Sequence, residues 1–268
     1  MTSYERSVLI GHTGYVGSTL LRQRGFDSLF NSSNVAQLAA DSYQEVVCCA
    51  APAQKWMANR DPLADRENIQ RLIEDLDRLD CDRFIHISTV DVFKSPFGVD
   101  EATTVDEQGL HAYGLNRRLL EQFVASRFRQ HLIVRLPGLV GPGLRKNIVF
   151  DLLNDNAVEK IDSRHTFQFY PMVNLWFDIE IALQANLRLI HLTAEPVSVQ
   201  QVAEYGFNRP FEQIVAAEPI SYDMRTCHAG LFGGSTGYQY SLRESLQAIR
   251  AYAQSEPGRL GSLRTSAS

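Results

Sequence analysis

Tyr113 and Arg117 stand four residues apart at the start of a stretch with helical periodicity, so they share one helix face. Upstream, the run Arg83 to Thr89 (RFIHIST) reads as a strand that ends in two hydroxyls, Ser88 and Thr89. A cation beside a tyrosine lowers the phenol's pKa, and at this position it also comes within reach of a cofactor ribose. A hydroxyl from the neighbouring strand end completes a donor pair aimed at a carbonyl oxygen. Such a group suits hydride transfer, in which an oxygen gains charge and must be protonated.

A hydride needs a carrier, and the N-terminal region offers a seat for one. Gly11-His12-Thr13-Gly14-Tyr15-Val16-Gly17 spaces its glycines three apart between a strand-like Ser7 to Ile10 and a helical Val16 to Arg24. In such a turn the backbone approaches a pyrophosphate closely, and the following helix supplies free N–H groups and the positive end of its dipole. The last glycine lets the helix pack tightly on the strand. Gly11, Thr13, Gly14, Tyr15, Val16 and Gly17 are therefore candidate cofactor contacts, whereas His12 is expected to face solvent or cofactor and to carry no chemistry. About 20 residues beyond the first glycine, NAD sites place an acidic residue on the ribose 2′-hydroxyl. Here that position reads Asn31-Ser32-Ser33. The missing carboxylate favours NADP over NAD, with Asn31 and Ser32 as donors to a 2′-phosphate, although no arginine is adjacent. The same residues also suit an ordinary turn.

The elements that must hold these residues alternate in period. EVVCCA (Glu45 to Ala50) is a continuous apolar strand of the kind buried on both faces. Asp61-Pro62 opens a helix in which Ile69, Leu72, Ile73, Leu76 and Leu79 recur at helical spacing. A second helix carries Leu115, Leu119, Leu120, Phe123 and Val124, and HLIVRL (His131 to Leu136) is a strand again. This alternation predicts an α/β fold: a Rossmann-type doubly wound parallel sheet with ligands at the carboxyl ends of its strands. Residues 1–145 are expected to form the dinucleotide-binding core. Residues 146–255 read as a small substrate lobe interleaved with the end of the sheet, and 256–268 as a flexible tail.

Composition removes other classes. The 26 cations and 31 acids of the 268-residue chain leave a net charge of −5, against a basic nucleic-acid binder. No apolar run reaches the roughly 18 residues of a membrane span, and no secretory pattern opens the chain, so a cytoplasmic location is expected. Cys48, Cys49, Cys81 and Cys227 have no metal-ligand spacing and read as buried small residues in a reducing compartment; no metal is expected. Only four cations are lysines, at 55, 94, 146 and 160; the other 22 are arginines.

With these motifs the chain resembles the extended short-chain dehydrogenases, the family of nucleotide-sugar epimerases, dehydratases and reductases. The resemblance rests on GHTGYVG, the CCAAP strand end, STVDVF, YGLNR where the family has Y-x-x-x-K, and RLPGLVGPG. It covers residues 7 to 145 well and the rest loosely, and is nearest in feel to the 4-keto-reductases of dTDP-sugar metabolism. It implies that Thr89 orients a sugar oxygen, that Tyr113 is the general acid/base and that Arg117 supports it. It further implies cofactor contacts at Ala50, Ala51, Tyr113, Arg117 and Pro137, and a nucleotide sugar as the small-molecule substrate. It leaves a homodimer open. Val90 and Asp91 stand where dehydratases carry an Asp-Glu pair.

Arg117 is the departure. It keeps the positive charge but cannot relay a proton as lysine does. Lys55, just past the CCAAP strand end, is a second candidate cation, and its ordinary alternative is a solvated loop lysine. Weaker substrate candidates are Asp91, Lys146, Asn147 and Trp176, with Phe167 to Tyr170 as pocket or lobe core, and Asn147 equally suited to capping a helix. Besides a reductase, the sequence admits an epimerase with tightly held NAD, or a catalytically silent NAD(P)-binding regulator.

Overall fold

The computed structural model describes residues 7–40 and 42–258. The proposed tail from 256 onward falls mostly on residues 259–268, outside the described residues.

The chain divides into two compact units. The first comprises the chain through Ser95, Thr103–Leu136 and Leu175–His191. It holds a six-stranded parallel sheet built from β1 (Ser7–Ile10), β2 (Ser28–Phe30), β3 (Ser42–Cys48), β4 (Asp80–Thr89), His131–Leu136 and Leu189–His191. From one edge the order is Leu189–His191, His131–Leu136, β4, β3, β1, β2. The winding direction reverses between β1 and β3, and that switch point is where an open α/β sheet takes a ligand. The expected doubly wound α/β fold is the observed one.

The helices follow from local signals. α1 (Tyr15–Gln23) starts directly after Gly14. α2 (Lys55–Arg60) is a short helix ahead of α3 (Pro62–Asp77), whose first residue is proline and whose cap Asp61 accepts the Ala64 N–H. α4 (Ala112–Arg127) is capped by His111, whose Nδ1 accepts the Gly114 N–H at 3.0 Å. The apolar stripe of α3 buries Ile69, Leu72 and Leu76, as the periodicity predicts. These pack with Val46, Phe84, Leu120 and Val124 in one core cluster. Phe84 and Phe128 stack with ring centroids 4.2 Å apart.

α4 departs from its expected face. Leu115, Leu119 and Phe123 are only half-buried, and the buried set includes Asn116, Arg117 and Glu121. Glu121 accepts hydrogen bonds from Ser88 at 2.6 Å, from Arg135 at 2.9 and 2.7 Å and from Arg118 at 3.0 Å. Arg135 also meets His191 at 3.2 Å. Buried polar groups are tolerated when they are mutually satisfied, so the buried face of α4 combines this network with Leu120 and Val124, which are buried as the periodicity predicts.

The second unit comprises Pro96–Ala102, Pro137–Asn174 and Leu192 onward. Its strands pair only two by two: Phe97–Val99 with Asp223–Met224, Gly138–Val140 with Phe169–Pro171, and Thr166–Phe167 with Val197–Ser198. Gln168 fastens three of its segments, donating to Thr193 Oγ1, the Ala194 carbonyl and the Met224 carbonyl at 2.7–2.8 Å. Phe169 and Tyr170 are buried core here, which settles the alternative left open by the sequence. The helix Leu242–Ser255 opens with a capping box of Ser241 and Glu244.

Cys48 is buried as expected, whereas Cys227 is exposed, so the small-hydrophobe reading fails for that one residue. Its surroundings in a turn beside Glu101 carry no apolar periodicity. All four thiols are free. No helix among the described residues is long and apolar enough to cross a membrane, and no cluster among them has the makings of a metal site.

Candidate active site

The glycine turn is shaped by contacts that exclude side chains. Gly11 has φ +89°, and a Cβ there would lie 2.7 Å from the Cys49 backbone. A Cβ on Gly17 would lie 2.3 Å from the Gly11 carbonyl oxygen. Gly14 caps α1 without a side-chain acceptor, and no acidic residue stands in the first turn of this nine-residue helix. Its leading N–H groups and dipole thus favour an anion. His12 has a role the sequence did not suggest: Nδ1 meets the Phe30 carbonyl at 3.0 Å, tying the turn to the end of β2.

Beyond β2, the Asn31 side chain accepts from the Ser33 N–H at 2.8 Å and the Ser33 hydroxyl at 2.6 Å. Asn34 in turn accepts the Asn31 N–H at 2.7 Å. The segment is a self-bonded turn with Ser32 exposed. Ala50 and Ala51 follow the end of β3, and the Ala50 nitrogen would lie 2.8 Å from a Cβ on Gly11 of the glycine turn.

β4 ends at Thr89, and α4 brings Tyr113 against it. The Thr89 side chain is close enough to the phenol to help hold its pKa down. Thr89 Oγ1 accepts the Asp91 N–H at 3.2 Å, which leaves its own hydroxyl hydrogen to donate. A Cβ on Gly114 would lie 2.1 Å from the Asp91 carbonyl oxygen, so glycine permits the close approach of α4 to this strand end. Asn59 of α2 accepts the Tyr113 N–H at 3.0 Å. Burial pushes the Tyr113 phenol above its usual range; Arg117, the Thr89 hydroxyl and Lys55 oppose that rise, and Asp91 adds to it.

Arg117 shares the tyrosine's face as the spacing predicts, with its guanidinium carbon 4.0 Å from the ring centroid. Its donors point elsewhere. One terminal nitrogen bonds the Asp65 carboxylate and the other the Pro52 carbonyl. Asn116 donates to the same carboxylate at 2.7 Å. Arg117 is 2% exposed and its Nε has no hydrogen-bond partner. Asp65 was missed by the motif search, yet it had a signal: it stands on the buried stripe of α3, one turn before Ile69, where a carboxylate demands a cationic partner. Lys55 is an ion-pair partner and not a free loop lysine, its Nζ lying 2.7 Å from Asp91 Oδ1. The first unit therefore brings Thr89, Asp91, Tyr113, Arg117 and Lys55 together.

Other candidates have different surroundings. Trp176 stacks on the Arg24 guanidinium at 4.1 Å, and Arg24 pairs with Glu45 at 2.6 Å where β1 and β3 begin. Its ring thus sits at the amino edge of the sheet, which corrects its assignment as a substrate contact. Asn147 is consumed as a helix cap, accepting from Val149 and Phe150 and donating to the Leu139 carbonyl. That corrects its substrate assignment too. Lys146 is exposed and Pro137 buried, both in the second unit.

The first unit's fold recurs widely among solved structures, with low sequence identity. A dTDP-4-dehydrorhamnose reductase from Clostridium acetobutylicum superposes with TM-score 0.72 at 16% identity, over 93% of this chain and 98% of that one. The WbmG enzyme of Bordetella bronchiseptica, solved with NAD and UDP, gives 0.74 at 15% identity over 94% and 95%. A UDP-glucose 4-epimerase from Thermotoga maritima gives 0.69 at 14% identity over 93% and 98%. Comparison with curated protein sequences gives no significant match. The model of the NAD dependent epimerase/dehydratase family matches residues 28–167, just over half the chain and starting beyond the glycine turn. With the glycine-turn geometry and the parallel sheet beside it, that match establishes that the chain belongs to the NAD-dependent epimerase/dehydratase family.

Proposed function

We propose that this protein is an NAD(P)-dependent oxidoreductase that moves hydride to or from a nucleotide-linked sugar. The observation that carries the reading is the close approach of the first turn of α4, which carries Tyr113, to the carboxyl end of β4 at Thr89, in a sheet whose switch point adjoins the glycine turn. The turn Gly11 to Gly17 would hold the pyrophosphate, Asn31 and Ser32 the adenosine ribose, with Ala50 and Ala51 lining the remainder. NADP is the preferred form, since no carboxylate stands at 31–33 to select the free 2′-hydroxyl.

When bound, the nicotinamide supplies or accepts the hydride. Everything else falls to the chain. Thr89 donates its hydroxyl to the sugar oxygen, and Tyr113 gives that oxygen its proton in the reducing direction and removes it in the reverse. Arg117, on the ring face, favours the phenolate that results.

The test is a thermal-shift panel of NAD, NADP and UDP-, GDP- and dTDP-sugars, because a ligand bound only by the folded state raises its melting temperature. Turnover with the best pair is then compared with that of Tyr113→Phe. The expected result is loss of turnover by about 10²- to 10⁴-fold with cofactor affinity unchanged. Retained turnover removes Tyr113 from the mechanism. A catalytically silent, cofactor-binding role is the second reading, favoured by the commitment of Arg117 to Asp65 and Pro52; cofactor binding without turnover on any sugar in the panel would support it.

A further inference from the structure

Two ion pairs of different character flank Tyr113: Arg117–Asp65, buried, and Lys55–Asp91, half-exposed. We propose that Lys55–Asp91 is a charge lever that sets the protonation state of Tyr113, making Lys55 a positioning residue supplied from outside the tyrosine–arginine motif. This rests on the reading of Tyr113 as the proton donor.

The buried pair is fixed. Both terminal nitrogens of Arg117 are committed, to Asp65 on α3 and to the Pro52 carbonyl, and the group lies on the face of the ring. Its charge is constant, since an arginine stays protonated, and its partner cannot be exchanged for water at 2% exposure. Arg117 thus provides a steady background and cannot adjust.

The second pair is adjustable and is wired to the tyrosine. Lys55 Nζ lies 2.7 Å from Asp91 Oδ1, with side chains 38% and 17% exposed. The Asp91 N–H donates to Thr89 Oγ1 at 3.2 Å, and the Asp91 carbonyl oxygen lies so close to α4 that a Cβ on Gly114, next to Tyr113, would stand 2.1 Å from it. On the other side α2, which begins at Lys55, holds the Tyr113 N–H through Asn59. A change in the balance of the pair is therefore felt at the phenol through its field, from a place that α2 and the end of β4 hold fixed beside the first turn of α4. The charged and titratable groups facing Tyr113 are Lys55 from α2, Asp91 after β4, Arg117 of α4 backed by Asp65 of α3, and His111 with its ring centroid 6.4 Å away. Of the cations, Lys55 is the exposed one. A ligand oxygen that draws Lys55 from Asp91 would leave the carboxylate free to raise the phenol's proton affinity. One that neutralises Asp91 would do the reverse.

The experiment titrates Tyr113 in the full chain without cofactor or sugar, by NMR of protein labelled with ¹³Cζ-tyrosine, with Tyr113→Phe identifying its resonance among the ten tyrosines. Lys55→Met is expected to raise the Tyr113 midpoint by about one unit, a tenfold loss of phenolate at a given pH, and Asp91→Asn to lower it by a similar amount. Lys55→Arg is expected to hold the wild-type midpoint, and the double variant Lys55→Met/Asp91→Asn to return close to it. A structural disturbance would not produce opposite signs that cancel. An unchanged midpoint in Lys55→Met, or shifts of one sign in both single variants, overturns the proposal. Because no substrate enters the titration, its failure leaves the oxidoreductase reading standing. Failure of both NADH and NADPH to bind the wild-type chain would sink that reading without touching the charge result.

Discussion

α3 and α4 lie side by side on the same sheet, yet they bury different chemistry. The inner face of α3 is Ile69, Leu72 and Leu76 with one carboxylate, Asp65. The inner face of α4 carries Tyr113, Asn116, Arg117 and Glu121 among its apolar residues. α3 is held by non-directional burial, which tolerates small shifts. α4 is held by directed, mutually dependent bonds, which do not. The tyrosine proposed for proton transfer sits on the helix whose position is specified by bonds.

The sharpest way to break this comparison is to remove one charge from α4. Arg117→Met strands Asp65 in the interior, and urea unfolding should register a loss of about 3–5 kcal/mol. Adding Asp65→Leu to that variant should restore most of the loss, since replacing both partners with apolar groups removes the stranded charge. If the double variant is as unstable as the single one, the helix is not held by this pair. On α3, Leu76→Ala should cost about 3 kcal/mol through cavity formation, with no partner substitution able to rescue it.

A third prediction uses pH. His86, on β4 under these helices, is fully buried with neither ring nitrogen hydrogen-bonded, and burial pushes it down to about 4. Its folded value lies below the unfolded one, near 6.5. Stability is therefore full above about pH 6.5 and falls by up to about 3 kcal/mol as pH drops toward 4, because the unfolded chain takes the proton first. His86→Leu should flatten that window in urea titrations at several pH values. A separate acid loss from Glu121 follows at lower pH: burial alone would raise that carboxyl, but the bonds from Arg135, Ser88 and Arg118 hold it below its usual range. The smallest effect is expected for Arg117→Lys, about 1–2 kcal/mol, because one ammonium cannot span both Asp65 and the Pro52 carbonyl as the guanidinium fork does. Stability equal to wild type in this variant would mean that one of the two bonds contributes nothing.

The same contrast decides what was legible in the sequence. Apolar periodicity marked α3 correctly because its buried face is the apolar one. On α4 it found Leu120 and Val124, which are buried, but missed the polar part of the buried face, since Asn116, Arg117 and Glu121 look like surface residues until their partners at 65, 88 and 135 are known. The glycine turn was legible because a tight backbone approach leaves a composition signature. Tyr113 and Thr89 could be picked by type and spacing, whereas Asn59, Asp65 and His111, which hold the first turn of α4, belong to three other segments and share no motif. Trp176 was over-read for the opposite reason: a conspicuous residue type carries no information about which edge of the sheet it reaches.

Gly114 has a further consequence. With 2.1 Å between an imagined Cβ and the Asp91 carbonyl oxygen, no point substitution at 114 fits unless the start of α4 retreats from the end of β4. The neighbouring residue therefore behaves as a gauge block, fixing the distance from the phenol to the threonine hydroxyl. An enzyme engineer wishing to retune this protein would leave that distance alone and vary the charges around it.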